Sequence, residues 1–368
     1  MSDLLSSRRR FLRMAALSGA GFAFSRRSLA DDPPVRSSGN TDYITAETQA
    51  AIDRGLSYLS RAQGEDGAYY DSNGPNVAIT GLAGLALMAG GHQPGRGQYG
   101  ANVSRAMDYV LSRANGPTPG YLTASHGVSN HSGMYQHGFG SLFLSEVYGM
   151  VPDRERQKRL RDGLEKAIAL IVRAQNKEGG WRYQPRPSEA DVSVTVAQLM
   201  ALRAARNAGV FVPKSTVDAS VKYIKDCQLE DGGFCYIRGN RVAGSLFPRS
   251  AAAIVGLYSA GIYDGREIDR GLKYLMRFIP SSARAGGFRD PRTEMHYFYA
   301  HYYAALAMWT AGGNYWAEWF PAIRDDLLAR SRVGAGGWHD FAYGSTYATA
   351  MACIILQLPN NYLPILQK

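Results

Sequence analysis

One pattern recurs six times in this 368-residue chain and limits its fold more than any other feature. Clear copies read AIDRGLSYLSRAQGEDGAYY from Ala51, LEKAIALIVRAQNKEGGWRY from Leu164 and VDASVKYIKDCQLEDGGFCY from Val217. A fourth, IDRGLKYLMRF from Ile268, reaches AGGF at Ala285. Weaker copies start at Val103, with PGYL behind it, and at Ile323, with AGGW behind it. Apolar residues stand at i, i+4 and i+7: Ile52/Leu56/Leu59, Val103/Met107/Val110, Leu164/Ile168/Ile171, Val217/Val221/Ile224 and Ile268/Leu272/Leu275. That spacing predicts an amphipathic helix with one buried stripe. The sixth copy, Ile323/Leu327, ends on Arg330 and is degenerate.

A second helix is predicted after each glycine–aromatic turn, as in ITGLAGLALMAGG, HGFGSLFLSEVYGM and VTVAQLMALRAARNAG. These segments are apolar on nearly all faces, which predicts burial. Their alanines and glycines permit close approach of backbones. Six such hairpins cannot bury their faces singly, but stacked and closed into a ring they can. The expected fold is all-α: an (α/α)6 toroid with parallel inner helices and outer helices wrapped antiparallel around them. Residues 46–368 are expected to form this single domain, after a linker over 31–45.

The turns AQNKEGGW (Ala174 to Trp181), CQLEDGGF (Cys227 to Phe234) and AQGEDGAY (Ala62 to Tyr69) resemble the Q-x3-G-x-W repeats of squalene and other triterpene cyclases and of protein prenyltransferase β subunits. The glutamine is expected to cap the outer helix, and the aromatic to wedge between repeats. The resemblance implies a central cavity for an isoprenoid. In the cyclases the acidic run D-x-D-D-T-A starts the reaction, and DVSVTV (Asp191 to Val196) falls on it. Asp191 and Thr195 match; Ser193 stands where the resemblance implies the protonating acid, and Val194 replaces the last Asp. The prenyltransferases hold zinc through D-x-C and a later His. Here those places are Glu294, His296 and Tyr347, so no metal is expected. No cofactor is expected either, as neither CxxC nor HExxH is present.

Inner helices bring their N-terminal ends to one mouth of the ring, and the polar exceptions cluster there. Candidate catalytic residues are Asp191, Ser193, Thr195, His137 and His296; candidate ligand-binding residues are Tyr135, Arg249, Tyr299, His301 and Tyr347. Six of the seven histidines, including His126, His131 and His339, are expected on this rim. Asp191 also suits an N-cap. His296 and His301 are about 140° apart on a helix and cannot share a site, whereas His296 with Tyr299, or Tyr297 with His301, can.

The start of the chain reads differently. SRRRFLR (Ser7 to Arg13) resembles a twin-arginine export signal, followed by an apolar stretch too short to span a bilayer. Residues 1–30 are expected to be removed after Ala30, placing the protein in the periplasm or beyond. They carry six arginines and one aspartate, so the formal charge of +10 falls to +5. With no basic block left, nucleic-acid binding is not expected. Three cysteines, Cys227, Cys235 and Cys353, are too few for a disulfide scaffold; Cys227 and Cys235 could pair across their loop, but buried free thiols are the expected state.

Three functions compete. One is an isoprenoid-type enzyme or binding protein with an elongated aromatic cavity, for which peripheral membrane contact stays open. The second is a polysaccharide lyase-like enzyme with an open polar groove, Arg249 as base and acids for calcium. The third is an exported scaffold whose ring is filled by side chains. The missing acids weigh the first reading towards binding or an unassigned reaction, and nothing fixes the oligomeric state.

Overall fold

The computed structural model describes residues 43–124, 132–280, 294–331 and 336–367. The twin-arginine segment, the cleavage point, His126, His131 and the AGGF turn lie outside them. Twelve α-helices follow one another among the described residues. The outer set is α1 (Ala46–Ala62), α3 (Gly100–Ser112), α5 (Arg154–Ala174), α7 (Lys214–Asp226), α9 (Arg266–Leu275) and α11 (Gly313–Arg330). The inner set is α2 (Val77–Ala89), α4 (Gly133–Val147), α6 (Val192–Asn207), α8 (Phe247–Ser259), α10 (Tyr297–Ala311) and α12 (Gly344–Leu356).

Each inner helix packs on the next, and α12 returns to pack on α2, so the ring is closed. The closure is hydrogen-bonded: Gln357 Nε2 donates to the Ala86 carbonyl at 3.0 Å and Asn360 Nδ2 to that of Ala89 at 3.2 Å. Inner helices approach closely where side chains are missing. A Cβ on Gly81 would stand 2.9 Å from the Phe139 carbonyl oxygen, and one on Gly140 would meet Val77 at 2.7 Å.

The repeat motif works between hairpins. Gln175 terminates α5, but its side chain reaches the next outer helix: Nε2 donates to Thr216 O and Gly179 O, both at 2.9 Å. Gln63 bridges Gly67 to Asn102 in the same way, and Gln228 bridges Gly232 to Glu267. The glutamine therefore staples repeat to repeat rather than capping its own helix. Gly179 has φ +93, and a Cβ there would stand 2.4 Å from the Ala219 carbonyl oxygen. Only glycine lets the turn lie this flat on the next outer helix.

In four of the described turns the aromatic is buried and its amide is held by the inner helix. Trp181 N donates to Thr195 Oγ1 (3.0 Å), Trp338 N to Thr349 Oγ1 (3.0 Å), Tyr69 N to Thr80 Oγ1 (2.9 Å) and Phe234 N to Ser250 Oγ (2.9 Å). In repeat two the acceptor is His137 Nδ1, which takes the Leu122 N–H at 3.1 Å.

Two outer helices depart from the expected stripe. In α7 the buried face is Thr216, Ser220, Tyr223 and Ile224, while Val217 and Val221 are half-buried. The Gln175 staple lands on Thr216 and Ser220, and Tyr223 Oη donates to Ala190 O at 2.6 Å, which turns the helix by about one residue. In α11, Arg330 is no defect. It pairs with Glu294 through both guanidinium NH2 groups and with Asp326, and lies 3.7 Å over the Tyr297 ring.

One end of the ring is floored by the C-terminal segment. Ile365 N donates to Glu146 Oε2 (3.2 Å) at the end of α4, and Arg203 of α6 donates to Gln367 O (2.6 Å). The other end, at the inner-helix N-termini, is the mouth.

Candidate ligand site at the mouth of the ring

Asp191 is the N-cap of α6, and Oδ1 accepts from Val194 N at 2.9 Å. Its backbone N–H is bound by Trp181 O, and the next amide, Val192 N, donates to Tyr236 O at 3.0 Å. The residue is fully buried, and Oδ2 makes no hydrogen bond of good geometry, with the Ser193 N–H and the Tyr236 side chain close to the carboxyl. Burial raises its pKa from 3.8 to about 6, against the Val194 N–H and the Arg182 guanidinium, which favour the charged form. A carboxyl that is partly protonated near neutrality can donate a hydrogen bond or a proton.

Tyrosines converge on it from several hairpins. Tyr135 of α4, Tyr299 of α10 and Tyr236 of the α7–α8 loop all lie within its electrostatic reach. Burial holds these phenols neutral, and the nearby Asp191 carboxylate also opposes their ionisation. The Ser193 hydroxyl stands beside Tyr135 and Tyr299. The Tyr299 and Tyr303 hydroxyls are buried close to each other, with Ser193 and Tyr135 beside Tyr299. Tyr347 of α12 stacks obliquely on Tyr343 at 5.0 Å and adjoins Tyr299 and Tyr302. Tyr135 and Tyr299 keep accessible surface although they sit on inner helices, as the lining of a recess does.

One turn below the recess, Phe139 of α4 meets Tyr302 of the opposite helix α10, ring centres 6.4 Å apart. The expected elongated cavity is therefore interrupted along the axis at that level. Above it the rim carries exposed apolar side chains beside polar ones such as His296. Val242, Met295, Phe341 and Tyr343, from the loops before α8, α10 and α12, are exposed.

Of the sequence candidates, the fold brings together Asp191, Ser193, Tyr135, Tyr299 and Tyr347. It separates the others. Thr195 holds the Trp181 amide, the same task as Thr80, Ser250 and Thr349 in their repeats. His137 lies inside α4 rather than on the rim; Nδ1 accepts from Leu122 and Nε2 donates to Ala167 O at 3.2 Å. Burial lowers its pKa to about 3, and both nitrogens are engaged. His301 is two residues from Tyr299, about 200° round the helix. It points instead towards α11, among Tyr297, Phe247 and Trp319.

His296 is exposed in a left-handed conformation before α10 and stands by Tyr343, not by Asp191. Arg249 clips the loop ahead of α8, donating to Phe234 O (3.1 Å) and Gly244 O (2.9 Å). Glu294 is committed to Arg330. Among the described residues, no group of three His, Cys, Asp or Glu side chains could hold a metal ion.

Tyr236, Tyr183 and Tyr303 were not legible as site residues. Tyr183 and Tyr236 share a hydrogen bond between their hydroxyls, and the Arg182 guanidinium lies 5.2 and 5.8 Å over their rings. Both stand two places after the turn aromatic, so aligning repeats three and four would have found them.

No protein-family model matches the chain, and no curated protein matches it. Solved structures do. An α-1,6-mannanase of Salegentibacter has a TM-score of 0.62 at 8% identity, covering 86% of this chain and 99% of its own. The type II terpene cyclase MstE from Scytonema, bound to geranylgeranyl dihydroxybenzoate, has 0.58 at 14% identity, covering 86% and 98%. An unsaturated glucuronyl hydrolase specific for heparin has 0.59 at 15% identity, covering 86% and 96%. The chain is an α/α toroid. At these identities the likeness is one of fold, shared by terpene-cyclising and polysaccharide-active enzymes alike.

Proposed function

We propose that this protein binds an apolar, isoprenoid-type small molecule at the mouth of the ring, with Asp191 as its polar contact and general acid. The observation that carries this reading is the buried Asp191 carboxyl, its pKa raised by burial, beside Tyr135 and Tyr299, which keep accessible surface. Tyrosine faces suit an apolar or cationic ligand. The exposed Val242, Met295, Phe341 and Tyr343 suit the rest of an apolar chain, since Phe139 and Tyr302 bar the axis. The same rim would serve peripheral contact with a membrane; no helix among the described residues is long and apolar enough to cross one. Export through the twin-arginine signal belongs to the same proposal.

Glycoside hydrolysis usually needs two carboxyls facing one bond. The other buried carboxyls among the described residues are Glu146, at the floor, and Asp326, committed to Tyr297 and Arg330. Glu189 is exposed and paired with Arg182, and Asp340, near Tyr343 and Tyr347, uses Oδ1 to hold the Ala342 and Tyr343 amides. That arrangement favours the isoprenoid reading over the polysaccharide one. Lipid extraction and native mass spectrometry of protein purified from the periplasm test it: a co-purifying polyisoprenoid, lost in D191N, is expected. Lipid-free protein that cleaves a polyuronate would overturn it.

A further inference from the structure

Repeat four differs from its neighbours at two positions that face each other. Gln228 and Phe234 form an antiparallel bridge, flanked by hydrogen bonds from Leu229 N to Gly233 O (2.8 Å) and from Cys235 N to Cys227 O (2.9 Å). Cys227 and Cys235 are thus a directly opposed, hydrogen-bonded pair. Such pairs hold their Cα atoms about 5.5 Å apart, within the roughly 4.4–6.8 Å that a disulfide spans. The matching positions are Ala174 and Arg182 in repeat three and Ala62 and Tyr70 in repeat one. Two of the chain's three cysteines therefore fall on one opposed register pair, while Cys353 is buried in α12.

The two thiols lie within electrostatic reach of each other. Cys235 Sγ donates to Ile237 O at 3.2 Å. The neighbouring Cys227 thiol, helped by the Arg249 and Arg241 guanidiniums against burial, brings the Cys235 thiol down to about 7. A thiolate is the attacking species in disulfide exchange.

We infer that Cys227 and Cys235 form a thiol–disulfide couple that closes the turn of repeat four. The oxidant is a small-molecule or protein disulfide. Cys235 thiolate attacks one of its sulfurs, giving a mixed disulfide and releasing one thiolate. Cys227, losing its proton to solvent, then attacks Cys235 Sγ and expels the second thiolate. Two protein thiols are oxidised and one disulfide is reduced to two thiols. The bond would fasten the strand whose next residue, Tyr236, accepts from Val192 N beside Asp191.

The full chain is equilibrated, both folded and by refolding from denaturant, in oxidised glutathione buffer. It is then denatured and alkylated without reductant. Uptake of one alkyl group, on Cys353, is expected, rising to three after reduction. Cleavage after Glu230 should leave the two halves of the turn linked, and C227S should abolish the link. The oxidised chain should also unfold at a higher urea midpoint than the reduced one. Three alkyl groups under both regimes, or a link to Cys353, would overturn the inference.

Discussion

Trp181 and Thr195 are joined by a hydrogen bond from the backbone amide of one to the hydroxyl of the other, 3.0 Å long and fully buried. Its recurrence at Tyr69/Thr80, Phe234/Ser250 and Trp338/Thr349 assigns Thr195 to the frame. Removing the hydroxyl leaves a buried N–H unpaired, which costs about 1–3 kcal/mol. T195V should lower the urea midpoint accordingly, and T195S should recover most of the loss. A T195V chain as stable as its parent would remove Thr195 from the frame.

The turn glycines separate backbone strain from steric clash. Gly179 (φ +93) faces the Ala219 carbonyl, whereas Gly239 (φ +84) has nothing within 4 Å of its would-be Cβ. G239A should lose only the strain of an unfavourable φ, of order 1–3 kcal/mol. G179A should lose clearly more, because its methyl would stand 2.4 Å from a backbone oxygen that belongs to a helix. Equal losses in chemical denaturation would mean that the turn is free to shift.

Much of this frame was legible because a six-fold repeat prints each contact several times. Gln63, Gln175 and Gln228 announce themselves by spacing, and the stripe of α1, α3 and α5 is buried as its period requires. Side-chain destinations were less legible. Periodicity could not show that Gln175 crosses to α7 instead of capping α5, nor that Ser220 receives it and rotates that helix. Histidine chemistry suggested a reactive rim, yet His137 stands in the slot where other repeats place a hydroxyl. The filling of the axis was out of reach, since Phe139 and Tyr302 meet only once the ring is closed.

His137 also gives stability a pH dependence. Its pKa is depressed from 6.5 to about 3 by burial, so the folded state keeps it neutral. The contribution is fully present above pH 6.5 and lost as pH falls towards 3. His301, lowered to about 3 by burial, acts in the same direction. H137A, which unpairs Leu122 N and Ala167 O, should be less stable at pH 7, with a smaller gap to the parent at pH 4. Urea midpoints across that range decide it; a gap constant with pH would mean that the native ring admits the proton.

Asp191 has the opposite sign. Burial raises its pKa from 3.8 to about 6, so the folded state holds the proton more tightly than the unfolded chain. Its contribution is complete below pH 3.8 and is lost as pH rises through 6, on the order of 2–3 kcal/mol. Glu146, raised from 4.5 to about 7 by burial, titrates in the same direction, so the parent slope contains both. The difference between parent and D191N isolates Asp191. Asparagine keeps an oxygen for Val194 N and so retains the N-cap. D191N should therefore match the parent near pH 4 and exceed it in stability above pH 6.5. Ligand retention should move the other way, falling in D191N if the carboxyl is what the ligand meets. A variant less stable than the parent above pH 6.5 would mean that the ionised carboxylate is stabilised in the ring, and Asp191 could not then serve as its acid.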